Sequence, residues 1–117
     1  MQYLLAIYED ERNYGGRDTE AWNNIVNAHM QIAGEMVQAG ILRGGAGLEP
    51  TSTATTVRTR GGVQQTHDGP YTEVREQLGG FYLIDVPSLD VAIAWAKRIP
   101  LHADGAIEIR ATLPDQD

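Results

Sequence analysis

Two kinds of hydrophobic periodicity alternate along the chain. Residues 2–8 (QYLLAIY) are almost continuously apolar, which is typical of a strand buried on both faces. From Thr19 to Ala39, apolar side chains recur every three or four residues, which predicts an amphipathic helix. Asp18 or Thr19 can cap the N-terminus of this helix, and Gly40 suits its C-terminal end.

The rest of the chain predicts more strands and one more helix. The glycines of ILRGGAGL either weaken strand pairing or permit a bulge or a close approach of two backbones. Polar, glycine-containing segments before the first helix and after the hairpin indicate loops. The predicted elements are a strand over 41–48, a hairpin formed by 53–59 and 63–66, a strand over 80–86, a helix over 88–98 and a strand over 105–113.

This order of elements predicts a fold class. It contains two strand–helix–strand halves, as in the split βαβ plan of ferredoxin-like folds. We therefore expect a single α+β domain over residues 1–117, with both helices on one face of a mainly antiparallel sheet. The other face then lacks cover, although strands such as 2–8 look apolar on both sides. A second copy of the chain, packed sheet to sheet in a symmetric homodimer, would supply that cover.

Composition narrows the classes of function. The chain has 117 residues, with 9 Lys and Arg against 16 Asp and Glu, giving a formal net charge of −7. This charge repels phosphate backbones and anionic lipids, which argues against direct binding to nucleic acid or a membrane. Because cysteine is absent, thiol nucleophiles, thiolate metal sites and disulfides are excluded. The acidic start lacks the basic region of a signal peptide, so we expect a cytoplasmic protein; we predict no cofactor.

Residues 68–86 (DGPYTEVREQLGGFYLIDV) resemble the DGPF-type proteins of the YCII-related family. Upstream, residues 48–58 (LEPTSTATTVR) are similar to that family's L-x-P-x-x-x-A-T-T-V-R stretch, and the segments QYLLAIY and DGAIEIR also fit. Tyr71 stands where the family usually has Phe, and Arg75 where it has Lys. The resemblance implies a bacterial, ferredoxin-like chain that forms a dimeric α/β barrel, with an activity that is undefined for most of the family.

The resemblance also singles out a histidine. Enzymatic relatives imply a His–Asp dyad, with the His on the first helix and the Asp just before the final strand. His29 has the family's spacing from Gly40, but the expected Asp–Pro step is Ile99–Pro100 in this chain. His29 is therefore the candidate catalytic base, and a buried, hydrogen-bonded core histidine is the alternative interpretation.

Two classes of function follow from these observations. In the first, the protein binds a small polar or anionic molecule in a cleft near the dimer interface, with proton-transfer or lyase-type chemistry if it is an enzyme. In the second, it is a non-catalytic interaction module associated with an extracytoplasmic-function sigma factor, a partner implied by the resemblance. The sequence leaves open whether the protein is an enzyme.

Six further residues around the DGPY motif are ligand-binding candidates. Arg58 leaves the predicted hairpin on its polar face, where it either pairs with a nearby acid or holds a ligand carboxylate in a bidentate contact. The DGPY loop is either a rigid corner or a binding loop. One His and two Glu in principle suit a divalent cation, but no second His follows at metal-site spacing, so we predict no metal. The candidates are Arg58, His67, Asp68, Tyr71, Glu73 and Glu76.

Overall fold

The computed structural model of the chain describes residues 1–114. Within them, strands and helices follow one another in the order that the hydrophobic pattern predicts. In chain order the elements are β1 (Gln2–Glu9), α1 (Glu20–Gln38), β2 (Leu42–Gly47), β3 (Thr55–Arg60), β4 (Val63–Asp68), β5 (Gln77–Asp85), α2 (Leu89–Ala96) and β6 (Gly105–Ala111).

The main sheet has four strands in the order β2-β5-β1-β6. β1 pairs antiparallel with β5 on one side and with β6 on the other, and β5 also pairs antiparallel with β2. Each helix therefore connects two strands that have a third strand between them, which is the ferredoxin-like arrangement. The predicted fold class is confirmed.

The helices begin where the sequence predicts. The Thr19 side chain accepts a hydrogen bond from the Trp22 main-chain N–H at 3.1 Å, which caps α1. At the other end Gly40 adopts a φ of +73°, a left-handed conformation that favours glycine. None of the helices within residues 1–114 has the length and apolar character needed to cross a bilayer.

The hydrophobic core lies between the helices and one face of the main sheet. Alternate residues of β1 and β5 point into it, so their burial follows the two-residue period of a strand. Leu5 from β1, Met36 from α1 and Ile84 from β5 are the largest side chains that are fully enclosed. α2 contributes Ala92 and Ala96 to the same core.

The opposite face of the sheet carries apolar side chains that are only partly buried. Leu4, Tyr8 and Leu83 point to this side and are only partly buried. Both helices contribute to the core on the other face, and the described chain is 19 Å across its shortest dimension. That thickness matches one helical layer on one sheet layer, since packed layers are about 10 Å apart. Within residues 1–114, no helix covers this second face.

A second, two-stranded sheet stands apart from the first. β3 and β4 form a hairpin whose turn residues Gly61 and Gly62 have φ values of +56° and +80°. Glycine accepts these values without strain, which explains the tight turn. Every residue of β4 is exposed, so the hairpin contributes little to the core.

Candidate functional site

A cavity of about 950 Å³ separates part of α1 from β2 and β5. This volume falls within the range of cavities that hold small organic ligands. We call it the α1 cavity. Its walls are mostly apolar, with a few polar groups among them. The lining side chains from α1 and β1 are Trp22, Ile25, Val26, His29, Met30, Ala33, Ile7 and Glu9.

Glycines on β2 and β5 form much of the opposite wall. Added Cβ atoms would lie 2.8 Å from the Phe81 carbonyl oxygen at Gly45 and 2.9 Å from the Ala46 carbonyl oxygen at Gly80. Both distances are too short for a real side chain, so the two backbones approach closely only because these residues are glycine. Of the sequence alternatives, the structure shows both a register shift between Leu42 and Gly44 and the close approach of the two backbones. The missing side chains leave room for the cavity.

His29 and Tyr82 meet inside the cavity. His29 lies on the apolar face of α1 and faces the sheet, as the helical period predicts. Its Nδ1 is 2.7 Å from the Tyr82 hydroxyl oxygen, and the two rings stack with centroids 5.9 Å apart. Burial lowers the pKa of His29 below its ordinary value of 6.5, while a hydrogen bond to the main chain of Pro100 acts in the opposite direction. Near neutral pH the imidazole is therefore uncharged.

The direction of the hydrogen bond between His29 and Tyr82 depends on which ring nitrogen carries the proton. When Nε2 carries it, Nδ1 accepts the hydrogen bond that the Tyr82 hydroxyl donates, and the Tyr82 oxygen keeps a lone pair with which to accept from a ligand. The Tyr82 hydroxyl also lies 3.5 Å from the main-chain carbonyl oxygen of His29.

A second polar pair lies at another part of the cavity wall. Glu9, at the end of β1, is buried at 8% exposure, and its Oε2 accepts a short hydrogen bond from the Tyr14 hydroxyl. Tyr14 comes from a 3₁₀ turn over Glu11–Tyr14, within a segment that the sequence indicates only as a loop. The Trp22 ring packs edge-on against Tyr14 at 5.3 Å, and the exposed His102 ring lies 5.2 Å away on another side.

Burial raises the pKa of Glu9 above its ordinary value of 4.5, although the Tyr14 hydrogen bond and the nearby His102 oppose this shift. The folded state therefore holds the Glu9 proton more tightly than the unfolded chain does.

The free energy of unfolding should fall as pH rises from 4.5 through the higher pKa of Glu9 in the folded state, by up to about 1.4 kcal/mol per pH unit. Glu9→Gln should flatten this part of the curve in denaturant unfolding at a series of pH values. The control Glu73→Gln, in the exposed loop after the hairpin, should leave the slope unchanged, and an unchanged slope in Glu9→Gln would contradict the prediction.

The arginines at the mouth of the cavity already have acidic partners. Arg12 forms a bidentate contact with Asp10, with Nε 2.9 Å from Oδ1. Arg17 contacts Glu49 across the mouth, at 3.2 Å between Nη1 and Oε1. Arg43, which also lines the cavity, has an acidic partner at 3.5 Å. Because all three guanidinium groups are paired, the described lining offers no free arginine to an anionic ligand.

The other predicted site residues lie outside the α1 cavity. Arg58 stacks over the Tyr71 ring at 4.8 Å and donates to the Tyr71 carbonyl at 3.4 Å. His67 and Asp68 end the exposed strand β4. The structure therefore does not bring these residues together with His29 in one cleft. Glu73 and Glu76 are exposed in the following loop, and residues 1–114 contain no group of three side chains placed to hold a metal ion.

Comparisons with known proteins identify the family. A family model of the YCII-related domain matches residues 1–114. The chain belongs to the YCII-related family. It is also 37% identical over 112 residues to an uncharacterized protein of Rhizobium meliloti (strain 1021), an alignment that covers 94% of this chain and 90% of the relative.

The position of the expected family aspartate is not polar in this YCII-related chain. Ile99 is 6% exposed and packs in the hydrophobic core. Asp85, at the end of β5, contacts the terminal amine of Met1 at 2.9 Å and Arg43 at 3.5 Å. The side chain that His29 contacts is Tyr82, which the sequence analysis does not include among the site candidates.

Proposed function

We propose that the protein binds a small, largely apolar molecule in the α1 cavity and contacts one polar group of that molecule through Tyr82 and His29. One observation carries this proposal: a hydrogen-bonded His–Tyr pair lies inside a cavity of ligand size. A histidine serving only the core would not need open space beside it, since protein interiors are otherwise close-packed.

The geometry supports proton transfer through Tyr82 as the chemistry of this site. The ligand would give a proton to the Tyr82 oxygen while Tyr82 gives its own proton to His29 Nδ1. The products of this step are a deprotonated ligand and an imidazolium, so charge and protons balance. Burial favours the uncharged imidazole beforehand, so His29 is ready to accept a proton near neutral pH.

Ligand-detected and protein-detected NMR with a set of small uncharged aromatic fragments tests the binding proposal. We expect fragments to shift signals of residues that line the α1 cavity. Tyr82→Phe removes the hydroxyl that contacts the ligand and should weaken their binding about tenfold, the equivalent of one lost hydrogen bond in a buried site. Tyr71→Phe removes a hydroxyl outside the cavity and should leave binding unchanged. If no cavity signal shifts, or if Tyr82→Phe binds equally well, the proposal is wrong.

We further propose that the protein is a homodimer in which the face carrying Leu4, Tyr8 and Leu83 packs against its counterpart. These apolar side chains are only partly buried in the single chain, and a second copy would bury them without other changes. The association with a sigma factor, which the family resemblance implies, stays a prediction.

A further inference from the structure

One end of the α1 cavity holds an acid and two aromatic rings that the proposed His29–Tyr82 contact does not use. Glu9, Tyr14 and Trp22 all line the cavity. Glu9 bonds Tyr14 through Oε2 only, and no side-chain polar atom in residues 1–114 is both fully enclosed and without a partner. The second carboxyl oxygen, Oε1, is therefore not fully enclosed, and it belongs to a residue that lines the cavity.

This acidic end, formed by Glu9, Tyr14 and Trp22, lies about 10–13 Å from the His29–Tyr82 pair. Trp22 and His29 are seven residues apart on α1, which corresponds to about 10 Å along a helix. On the sheet, Tyr82 pairs with Leu5, and Glu9 is four residues further along β1, which corresponds to about 13 Å. A ligand that reaches both ends has the length of one aromatic ring with a short side chain.

The charges around the acidic end favour a positively charged group. An anion would be repelled by the Glu9 carboxylate, and the nearby Arg12 and Arg17 are already paired with acids. A cation would instead offset the cost of burying that carboxylate. The face of Trp22 already attracts one cation, because the Arg17 guanidinium lies 5.6 Å from its ring centroid. The net charge of −7 also draws cations toward the protein.

We propose that the α1 cavity binds an amine, with the protonated amino group between the Glu9 carboxylate and the rings of Tyr14 and Trp22. This inference rests on the proposed function and specifies the chemical class of its ligand. The ammonium forms a charge-assisted hydrogen bond with Glu9 Oε1 and lies beside the Tyr14 and Trp22 rings. A hydroxyl at the other end of the ligand donates to the Tyr82 oxygen.

Three probes of the same shape test this inference by calorimetry on the full chain. Tyramine carries an ammonium group, tyrosol a neutral hydroxyl and 4-hydroxyphenylacetate a carboxylate on the same phenol. We expect tyramine to bind at least about tenfold more tightly than tyrosol, and 4-hydroxyphenylacetate to bind weakest. Glu9→Gln keeps the size of the side chain and should abolish the preference for tyramine. The control Glu73→Gln makes the same change in net charge in the exposed loop after the hairpin, outside the cavity, and should keep it.

A second variant keeps the test decisive if Glu9→Gln unfolds. Trp22→Leu retains the charge of Glu9 and a good helix-forming residue, and it should reduce the tyramine preference severalfold by removing one ring. Equal binding of the three probes, with shifts in the signals of His29 and Tyr82, would overturn the amine inference and leave the proposed function standing. A tyramine preference that persists in Glu9→Gln would also overturn it. If none of the three probes binds, the amine inference fails. The proposed function fails as well only if the uncharged aromatic fragments also leave the NMR signals of the cavity residues unchanged.

Discussion

Replacing Gly80 with alanine is expected to separate β2 from β5 and to abolish ligand binding in the α1 cavity. The new Cβ would lie 2.9 Å from the Ala46 carbonyl oxygen and 3.3 Å from the Gly47 Cα, both of which are main-chain atoms. A backbone cannot rotate away as a flexible side chain can, so the strands must move apart. Forcing atoms into such a space typically costs about 1–3 kcal/mol of unfolding free energy. Denaturant unfolding and the tyramine titration measure the two effects.

Gly47 provides a matched control for this variant. It pairs with Gly80 across the same two strands, but a Cβ at Gly47 meets nothing within 4 Å. Gly47→Ala should therefore be neutral or should stabilise the protein by about 0.4–1 kcal/mol, because alanine restricts the unfolded chain. If Gly80→Ala and Gly47→Ala behave alike, close backbone approach does not form the cavity wall.

Replacing Ile84 with alanine is expected to lower the free energy of unfolding by about 2–5 kcal/mol. Ile84 is fully enclosed between β5 and the helices, so its truncation removes buried apolar contacts and leaves a void. The loss should be the same at every protein concentration, because the side chain lies within one chain. Denaturant unfolding at two widely separated concentrations measures this.

Leu83, the next residue of β5, is the control that tests the proposed homodimer. It points to the uncovered face of the sheet and is only partly buried. If a second copy covers that face, Leu83→Ala should weaken the dimer, so this variant should dissociate to monomers at a higher protein concentration than Ile84→Ala does. Light scattering of the wild-type chain should give about twice its mass of 12.8 kDa. A monomeric wild type, or a Leu83→Ala variant that dissociates no more readily than the wild type, would contradict the dimer.

The sequence predicts the elements that have a strong hydrophobic period. The helical repeat of α1 places its apolar face against the sheet, and that alone directs His29 inward before any contact is known. The order of strands and helices likewise predicts the sheet topology, because few connections satisfy it. A hydrophobic period of this kind predicts an element correctly when the burial of one of its faces determines the structure.

The partners of the site residues could not be predicted in the same way. Glu9 lies on the same face of β1 as Leu5 and Ile7, so the two-residue period of the strand indicates that its side chain is buried. An acidic residue type does not suggest burial, and the sequence analysis therefore does not include Glu9 among the site candidates. Tyr82 is 53 residues from His29, and only the register of β5 against β1 brings it beneath α1. Residues of the DGPY segment carry a strong motif, yet the structure places them at the end of a separate hairpin and in the loop after it. A motif indicates a family more directly than it indicates which side chains meet.

Crystals of the wild-type protein soaked with tyramine provide the most direct measurement of the central claim, that the α1 cavity is the ligand site. We predict electron density for the molecule between α1 and β5, with its phenol oxygen within hydrogen-bond distance of the Tyr82 hydroxyl and its nitrogen beside Glu9. Density for the molecule only outside the cavity, or a cavity filled by the protein's own side chains, would contradict the claim.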